Sequence, residues 1–90
     1  MVKTINVGGR NIIVLGKTTR YARHVWSEIS KRYSGFNKVF FVADQKGSLA
    51  GLNPLDTVII ELGQTWKNPI YETFEFQFLK DNGAVFIQEK

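Results

Sequence analysis

The residues best suited to binding a ligand form one short segment that directly follows an apolar run. The segment combines a glycine, two hydroxyl side chains and two cationic side chains: Gly16, Lys17, Thr18, Thr19 and Arg20. A helix beginning here would add unpaired backbone N–H groups and the positive end of its dipole, which together attract anions. We therefore predict that the segment binds a phosphate-bearing ligand. The same residues also fit a plain turn between a strand and a capped helix.

Two later turns also follow apolar runs. Asp44 ends the run at residues 38–43, and Thr65 and Trp66 come after the run at residues 57–62. Ligands of open α/β sheets bind outside the carboxyl ends of the strands. We therefore add Asp44, Thr65 and Trp66 to the predicted ligand site, where Asp44 would accept a hydrogen bond from a ribose hydroxyl and Trp66 would stack on a base.

Residues for catalysis or metal binding are scarce. The chain has no cysteine, which excludes disulfides, thiolate zinc sites and cysteine nucleophiles. His24 is the single histidine, and a metal site needs at least three suitable ligands. The spacing of Asp44, Asp56 and Glu61 specifies neither a magnesium site nor an acid–base pair. We predict no catalytic residues, no metal and no cofactor, and we do not expect an enzyme.

The segment Gly16-Lys17-Thr18 after an apolar strand resembles the tail of a P-loop. Residues 58–61 resemble the acidic-ended strand that accompanies such a loop. The P-loop pattern requires a glycine five positions before Gly16, where this chain has Asn11, so we do not expect nucleoside triphosphate hydrolysis. More broadly, segments 13–18, 39–44, 49–56 and 58–62 resemble, in this order, the small α/β proteins of bacteriophages. That resemblance implies a shrunken Rossmann-like or P-loop-like core without its catalytic parts.

The first half of the chain predicts a hairpin, a helix and a strand. Residues 4–7 and 11–15 flank Gly8-Gly9-Arg10, which favours an N-terminal hairpin. A helix is predicted from Thr18 or Thr19 to about Ser34, because apolar residues recur at helical spacing: Ala22, Val25, Trp26, Ile29 and Tyr33. Residues 38–43 form a continuous run of strand length that is rich in β-branched and aromatic residues.

Residues 57–62 form a second such run, and runs apolar on both faces are typical of buried parallel strands. The segment between the two runs is long enough for a crossover containing one turn. The segment after Pro69 fits either a strand, with Phe74, Phe76 and Phe78 alternating, or a helix. We favour the helix, in which Ile70, Phe74 and Phe78 share one face and Phe76 fits worst.

The fold class is therefore α/β. We predict one domain over residues 1–90, with an N-terminal hairpin and a small, mainly parallel sheet in two or three layers. The order is β-β-α-β-(turn)-β-α-β, which is Rossmann-like. No apolar run reaches the length of a membrane span and no signal-peptide core follows Met1, so we expect a cytoplasmic protein without a membrane partner.

The net charge of +4 and the pI of about 9.6 suit an acidic partner. We expect a small binding module of phage type whose partner is a protein and which inhibits or regulates a host protein. The predicted partner-binding residues are Arg23, Trp66, Lys67 and Phe76. The first alternative is a binder of a nucleotide or other phosphorylated small molecule at Gly16–Arg20. The second is nucleic-acid binding through the basic helix at residues 18–34. Homodimerisation would bury the same residues as the predicted protein partner.

Overall fold

The computed structural model describes residues 4–44, 49–63 and 69–89 of the 90-residue chain. In chain order these ranges form β1 (Ile5–Asn6), β2 (Asn11–Leu15), α1 (Thr19–Ile29), β3 (Tyr33–Ser34), β4 (Val39–Val42), β5 (Thr57–Leu62), α2 (Phe74–Asp81) and β6 (Val85–Glu89). Short 3-10 helices at Ser30–Arg32, Pro54–Asp56 and Pro69–Glu72 lie between them. The structure is a small α/β domain, as the sequence predicts.

The main sheet has four strands in the order β4-β2-β5-β6, and every neighbouring pair is parallel. The central strands β2 and β5 are almost wholly buried, which explains their unbroken apolar sequences. This confirms the mainly parallel sheet.

Successive side chains of the central strands contribute to two separate core clusters. Ile12 and Val14 of β2 pack with Ala22 and Ile29 of α1. The intervening Ile13 belongs to a second cluster, which contains Phe76 and Leu79 of α2 together with Leu15, Ile59 and Ile70. Since alternate residues of a strand point to opposite faces, the sheet carries α1 on one face and α2 on the other.

The predicted N-terminal hairpin is wrong. A turn does form at Gly8-Gly9, where the Arg10 N–H donates to the Val7 carbonyl oxygen at 3.3 Å. However, β1 pairs in parallel with β3 in a separate two-stranded sheet, and the Val7 N–H donates to the Ser34 carbonyl oxygen at 3.0 Å. The strand before the turn therefore continues the parallel pairing of β2 with β4 instead of folding back on β2.

Helix α1 begins where the sequence predicts but ends earlier. The Thr18 side chain caps its first turn. The helix ends at Ile29 instead of reaching Ser34, because residues 30–32 tighten into a 3-10 turn and Tyr33 enters β3. Tyr33 is nevertheless buried, and its ring stacks on Trp26 with centroids 5.8 Å apart.

The preference for a helix after Pro69 is confirmed, although α2 begins at Phe74, five residues after Pro69, where the 3-10 turn begins. Thr73 caps α2, its Oγ1 accepting from the Phe76 N–H at 3.2 Å. Gly83, with φ of 103°, follows the last turn, and the Ala84 N–H donates back to the Leu79 carbonyl oxygen at 3.1 Å.

Neither α-helix found within residues 4–44, 49–63 and 69–89 is long and apolar enough to cross a membrane.

Candidate functional site

Gly16 lies where β2 leads into α1, and it is buried. Its N–H donates to the Val42 carbonyl oxygen at 3.0 Å, so this donor is used within the sheet. A Cβ atom added to Gly16 would lie 3.2 Å from Ala22 Cβ and 3.2 Å from Tyr21 Cδ2. The missing side chain therefore lets α1 pack closely against the end of β2.

The side chain of Thr18 forms the N-terminal cap of α1. Its Oγ1 accepts from the Tyr21 N–H at 3.0 Å, and its carbonyl oxygen accepts from the Ala22 N–H at 3.0 Å. The predicted capping by threonine is thus confirmed. The N–H groups of Thr19 and Arg20 occupy the first two helical positions, which have no acceptor inside a helix.

A depression of about 570 Å³ lies beside the start of α1, and we call it the Arg20 depression. It is lined by Thr19, Arg20, Arg23, His24 and Ser27. The guanidinium carbon of Arg23 lies 5.1 Å from the centre of the Phe41 ring, a cation–π contact that fixes this charge above the sheet. Two guanidinium groups and a helix start therefore surround one concave surface, an arrangement that attracts anions.

The turns after β2, β4 and β5 begin at the same edge of the sheet. Leu15 pairs with Val42 on one side and with Glu61 on the other, so the three strands end together. Asp44, two residues beyond β4, is exposed near this edge, as is Lys17. The predicted ligand residues Thr65 and Trp66 lie outside the described residues, so their convergence on this edge stays a prediction.

The Nε2 atom of His24 lies 3.2 Å from Oε1 of Glu28, a contact that is an ion pair only when the imidazole is protonated, and both side chains are exposed. The pair lies one helical turn apart on the surface of α1. Among the residues that the structure describes, no three histidine or carboxylate side chains are placed to hold a metal ion.

A polar cluster that the sequence does not predict joins the segment after α1, at Arg32 and Tyr33, to the end of β6. Glu89 accepts from Arg32 Nη1 at 2.7 Å and from the Tyr33 hydroxyl at 2.5 Å. Burial, and secondarily the hydrogen bond to Glu89, raises the pKa of Tyr33 above its ordinary value. The partners are 56 and 57 residues apart, so no local pattern relates them.

The second helix carries two exposed aromatic side chains. Phe74 is 78% exposed and Phe78 is 42% exposed, and their rings stack with centroids 6.2 Å apart. Together with Glu75 and the 49–52 segment they line a groove of about 300 Å³. We call it the Phe74 groove, and its lining residues are Leu49, Gly51, Leu52, Phe74, Glu75 and Phe78.

Phe76, predicted to contact a partner, is only 6% exposed. It packs edge-on between Tyr71 and Phe86, with ring centroids 4.8 and 5.3 Å away. The predicted shared face of Ile70, Phe74 and Phe78 does not form, because the 3-10 turn at Pro69–Glu72 precedes α2 and changes the helical phase. Ile70 and Phe76 are buried, whereas Phe74 and Phe78 are exposed.

The other predicted partner-binding residues are placed differently. Arg23 is exposed and lines the Arg20 depression. Trp66 and Lys67 lie outside the described residues. The signal that could have identified the exposed aromatic pair is the four-residue spacing of Phe74 and Phe78, combined with a helix start at Thr73.

The chain matches no known family model, no curated protein and no solved structure. Its function must therefore be inferred from the chemistry of these surfaces.

Proposed function

We propose that the chain is a protein-binding module that contacts its partner through the Phe74 groove. One observation carries the proposal: two stacked phenylalanine rings, 78% and 42% exposed, stand beside the apolar residues Leu49 and Leu52. Clustered exposed apolar residues mark interaction surfaces more often than single ones do. Aromatic side chains are also enriched among the residues that dominate binding energy.

Burying the exposed parts of the two rings would contribute to the affinity for a partner. Fully burying a phenylalanine side chain contributes about 1.5–3 kcal/mol. Given their exposed fractions of 78% and 42%, Phe74 and Phe78 together would contribute roughly 3 kcal/mol, or about a hundredfold in Kd.

The pair is also held in place before any partner arrives. The Thr73 cap fixes the first turn of α2, and the Ala84 N–H closes its last turn. Phe76 and Leu79 anchor the opposite side of the helix in the core. Because the rings stand on a fixed helix, binding would cost little entropy for ordering this side of the interface.

The volume of the groove favours a docking segment over a cofactor. At about 300 Å³ it is at the small end of ligand pockets, which span roughly 300–1,000 Å³. One or two apolar side chains of another protein would fit beside the phenylalanine rings.

Site-specific photo-crosslinking in the cells that make the chain tests the proposal. A benzophenone amino acid replaces Phe74 or Phe78, and in a matched control it replaces Ile5, which is 45% exposed on β1. We expect the same protein to be crosslinked from Phe74 and Phe78 and not from Ile5. Products that are absent at Phe74 and Phe78, or identical at all three positions, would contradict the proposal.

A second candidate function is the binding of a phosphate-bearing ligand in the Arg20 depression. The specific observation in its favour is that Arg20 and Arg23 line one concave surface with the start of α1. Pyrophosphate or a nucleotide at millimolar concentration should raise the Tm of the wild-type chain, because a ligand that binds only the folded state stabilises it. The R20S/R23S variant should show no such rise, and sodium chloride at matched ionic strength serves as the control. No rise in the wild type would eliminate this candidate.

A further inference from the structure

The surface around α2 has the opposite charge from the chain as a whole. Residues 49–56 and 69–83 carry four carboxylates and one lysine: Asp56, Glu72, Glu75, Asp81 and Lys80. The whole chain nevertheless has a formal net charge of +4. Its positive charges concentrate instead in residues 10–38, which include α1.

Two of the carboxylates, Glu75 and Asp81, lie on α2 beside the exposed aromatic rings. Glu75 lines the Phe74 groove. Asp81 follows Phe74 by seven residues and Phe78 by three, so it lies on the same exposed face of α2. Glu72 and Asp81 are exposed as well.

No ion pair in the described part of the chain neutralises these carboxylates. The two ion pairs found there join His24 to Glu28 and Arg32 to Glu89. Asp81 accepts only a neutral hydrogen bond, from Gln77 Nε2 at 3.0 Å. The charge of the groove's rim is therefore available to a partner.

We infer that the occupant of the Phe74 groove is an amphipathic segment of another protein that carries lysine or arginine beside its apolar side chains. The inference rests on the proposed function, and it identifies the chemistry of the partner. Apolar side chains would pack against Phe74 and Phe78, while cations of the segment would pair with Glu75 and Asp81. An amphipathic helix laid into a groove has this combination of contacts.

Helix α1 of a second copy does not supply such a segment. The cations of the described residues concentrate on and around α1, whose apolar residues Ala22 and Ile29 are buried against the sheet. Tyr21 is the only large apolar side chain of this helix that is exposed, so the helix presents its positive charge without a row of exposed apolar side chains three or four positions apart.

Selection from a library of short random peptides tests the inference. The immobilised full chain is the bait, and F74S/F78S is the counter-bait; F74S alone serves if the double variant does not fold, since Phe74 is 78% exposed. We expect peptides that depend on the phenylalanine pair to be enriched in lysine and arginine, with apolar residues three or four positions apart. The overall charge of +4 would by itself enrich acidic peptides, so the expected result opposes the nonspecific one.

The outcomes separate the two proposals. If the selection yields no peptide whose binding depends on the phenylalanine pair, the proposed function is overturned, and this inference with it. Peptides that depend on the pair but are neutral or acidic would leave the proposed function standing and overturn the basic partner. Light scattering that shows a dimer for the wild-type chain and a monomer for F74S/F78S would also overturn the inference of a basic partner, because the occupant of the groove would then be a second copy.

Charge reversal on the rim provides an independent check. E75K/D81K leaves both phenylalanine residues in place and changes only exposed or half-exposed side chains. We expect it to weaken a selected basic peptide about fivefold, the effect of losing two exposed ion pairs. An unchanged affinity would overturn the inference.

Discussion

Replacing Gly16 with alanine tests whether the junction of β2 and α1 is set by packing. The new Cβ would lie 3.2 Å from Ala22 Cβ, 3.3 Å from Ala22 Cα and 3.2 Å from Tyr21 Cδ2. Tyr21 is 41% exposed and can rotate away, but Ala22 is fully buried and moves only with the helix. Gly16→Ala should therefore displace α1 by a few tenths of an ångström.

The free energy of unfolding should fall as a result. Overpacking in a core costs about 1–3 kcal/mol. Gly16 does not have a positive φ, so alanine also gains about 0.4–1 kcal/mol by restricting the unfolded chain. The net loss is about 1–2 kcal/mol, and each kcal/mol lowers the Tm of a domain this size by about 4–8 °C.

The assay is urea denaturation of the wild type, G16A, A22G and the double variant G16A/A22G. Ala22→Gly alone should lower the free energy of unfolding by about 1 kcal/mol through helix propensity, and by more if loss of the buried methyl group also weakens packing. It also removes the Cβ that the alanine at position 16 would meet. The double variant should therefore lose about 1 kcal/mol less in the free energy of unfolding than the two single variants lose together. A G16A variant as stable as the wild type, or effects additive within about 0.5 kcal/mol, would refute the packing argument.

Two further predictions concern stability. Tyr33→Phe removes the hydroxyl that donates to Glu89 and should cost about 1.5–3 kcal/mol at neutral pH, measured by urea denaturation. Because the pKa of Tyr33 is raised in the folded state, its contribution is complete below the ordinary tyrosine pKa of about 10 and is lost as the pH rises above it. The wild type should therefore lose more stability than Y33F above that pH, and equal losses would contradict the burial argument. Thr73→Ala removes the cap of α2 and should cost about 0.5–2 kcal/mol. Thr73→Ser, which keeps the hydroxyl, is its control, and a T73A variant with the stability of T73S would show that the cap contributes nothing.

The exposed phenylalanine pair illustrates how far local sequence goes. Phe74, Phe76 and Phe78 are identical residues two positions apart, and the sequence indicates that they lie in a helix. Only the packing of α2 on the sheet decides that Phe76 is 6% exposed and Phe74 is 78% exposed. The choice depends on the 3-10 turn at Pro69–Glu72, which sets the phase of the helix.

The Gly8-Gly9 turn is a similar case. A turn with two glycines between apolar runs is the local signal of a hairpin, and the turn itself forms. The partner of β1 is nevertheless β3, because Tyr33–Ser34 supplies a parallel pairing beside β1 that continues the one between β4 and β2. Strand pairing over this distance in the chain has no local sequence signature.

The sequence by itself determined the elements whose signals are local: the threonine cap of α1, the apolar spacing of its buried face, the largely apolar runs of the buried parallel strands, and a helix after Pro69. These features depend on backbone donors and side-chain periodicity within a few residues. The tertiary structure decided what depends on distant partners. It pairs β1 with β3, joins Glu89 to Arg32 and Tyr33, and leaves Phe74 and Phe78 exposed beside Glu75. The surface proposed for binding is of this second kind, because exposure is fixed only when the whole chain has packed.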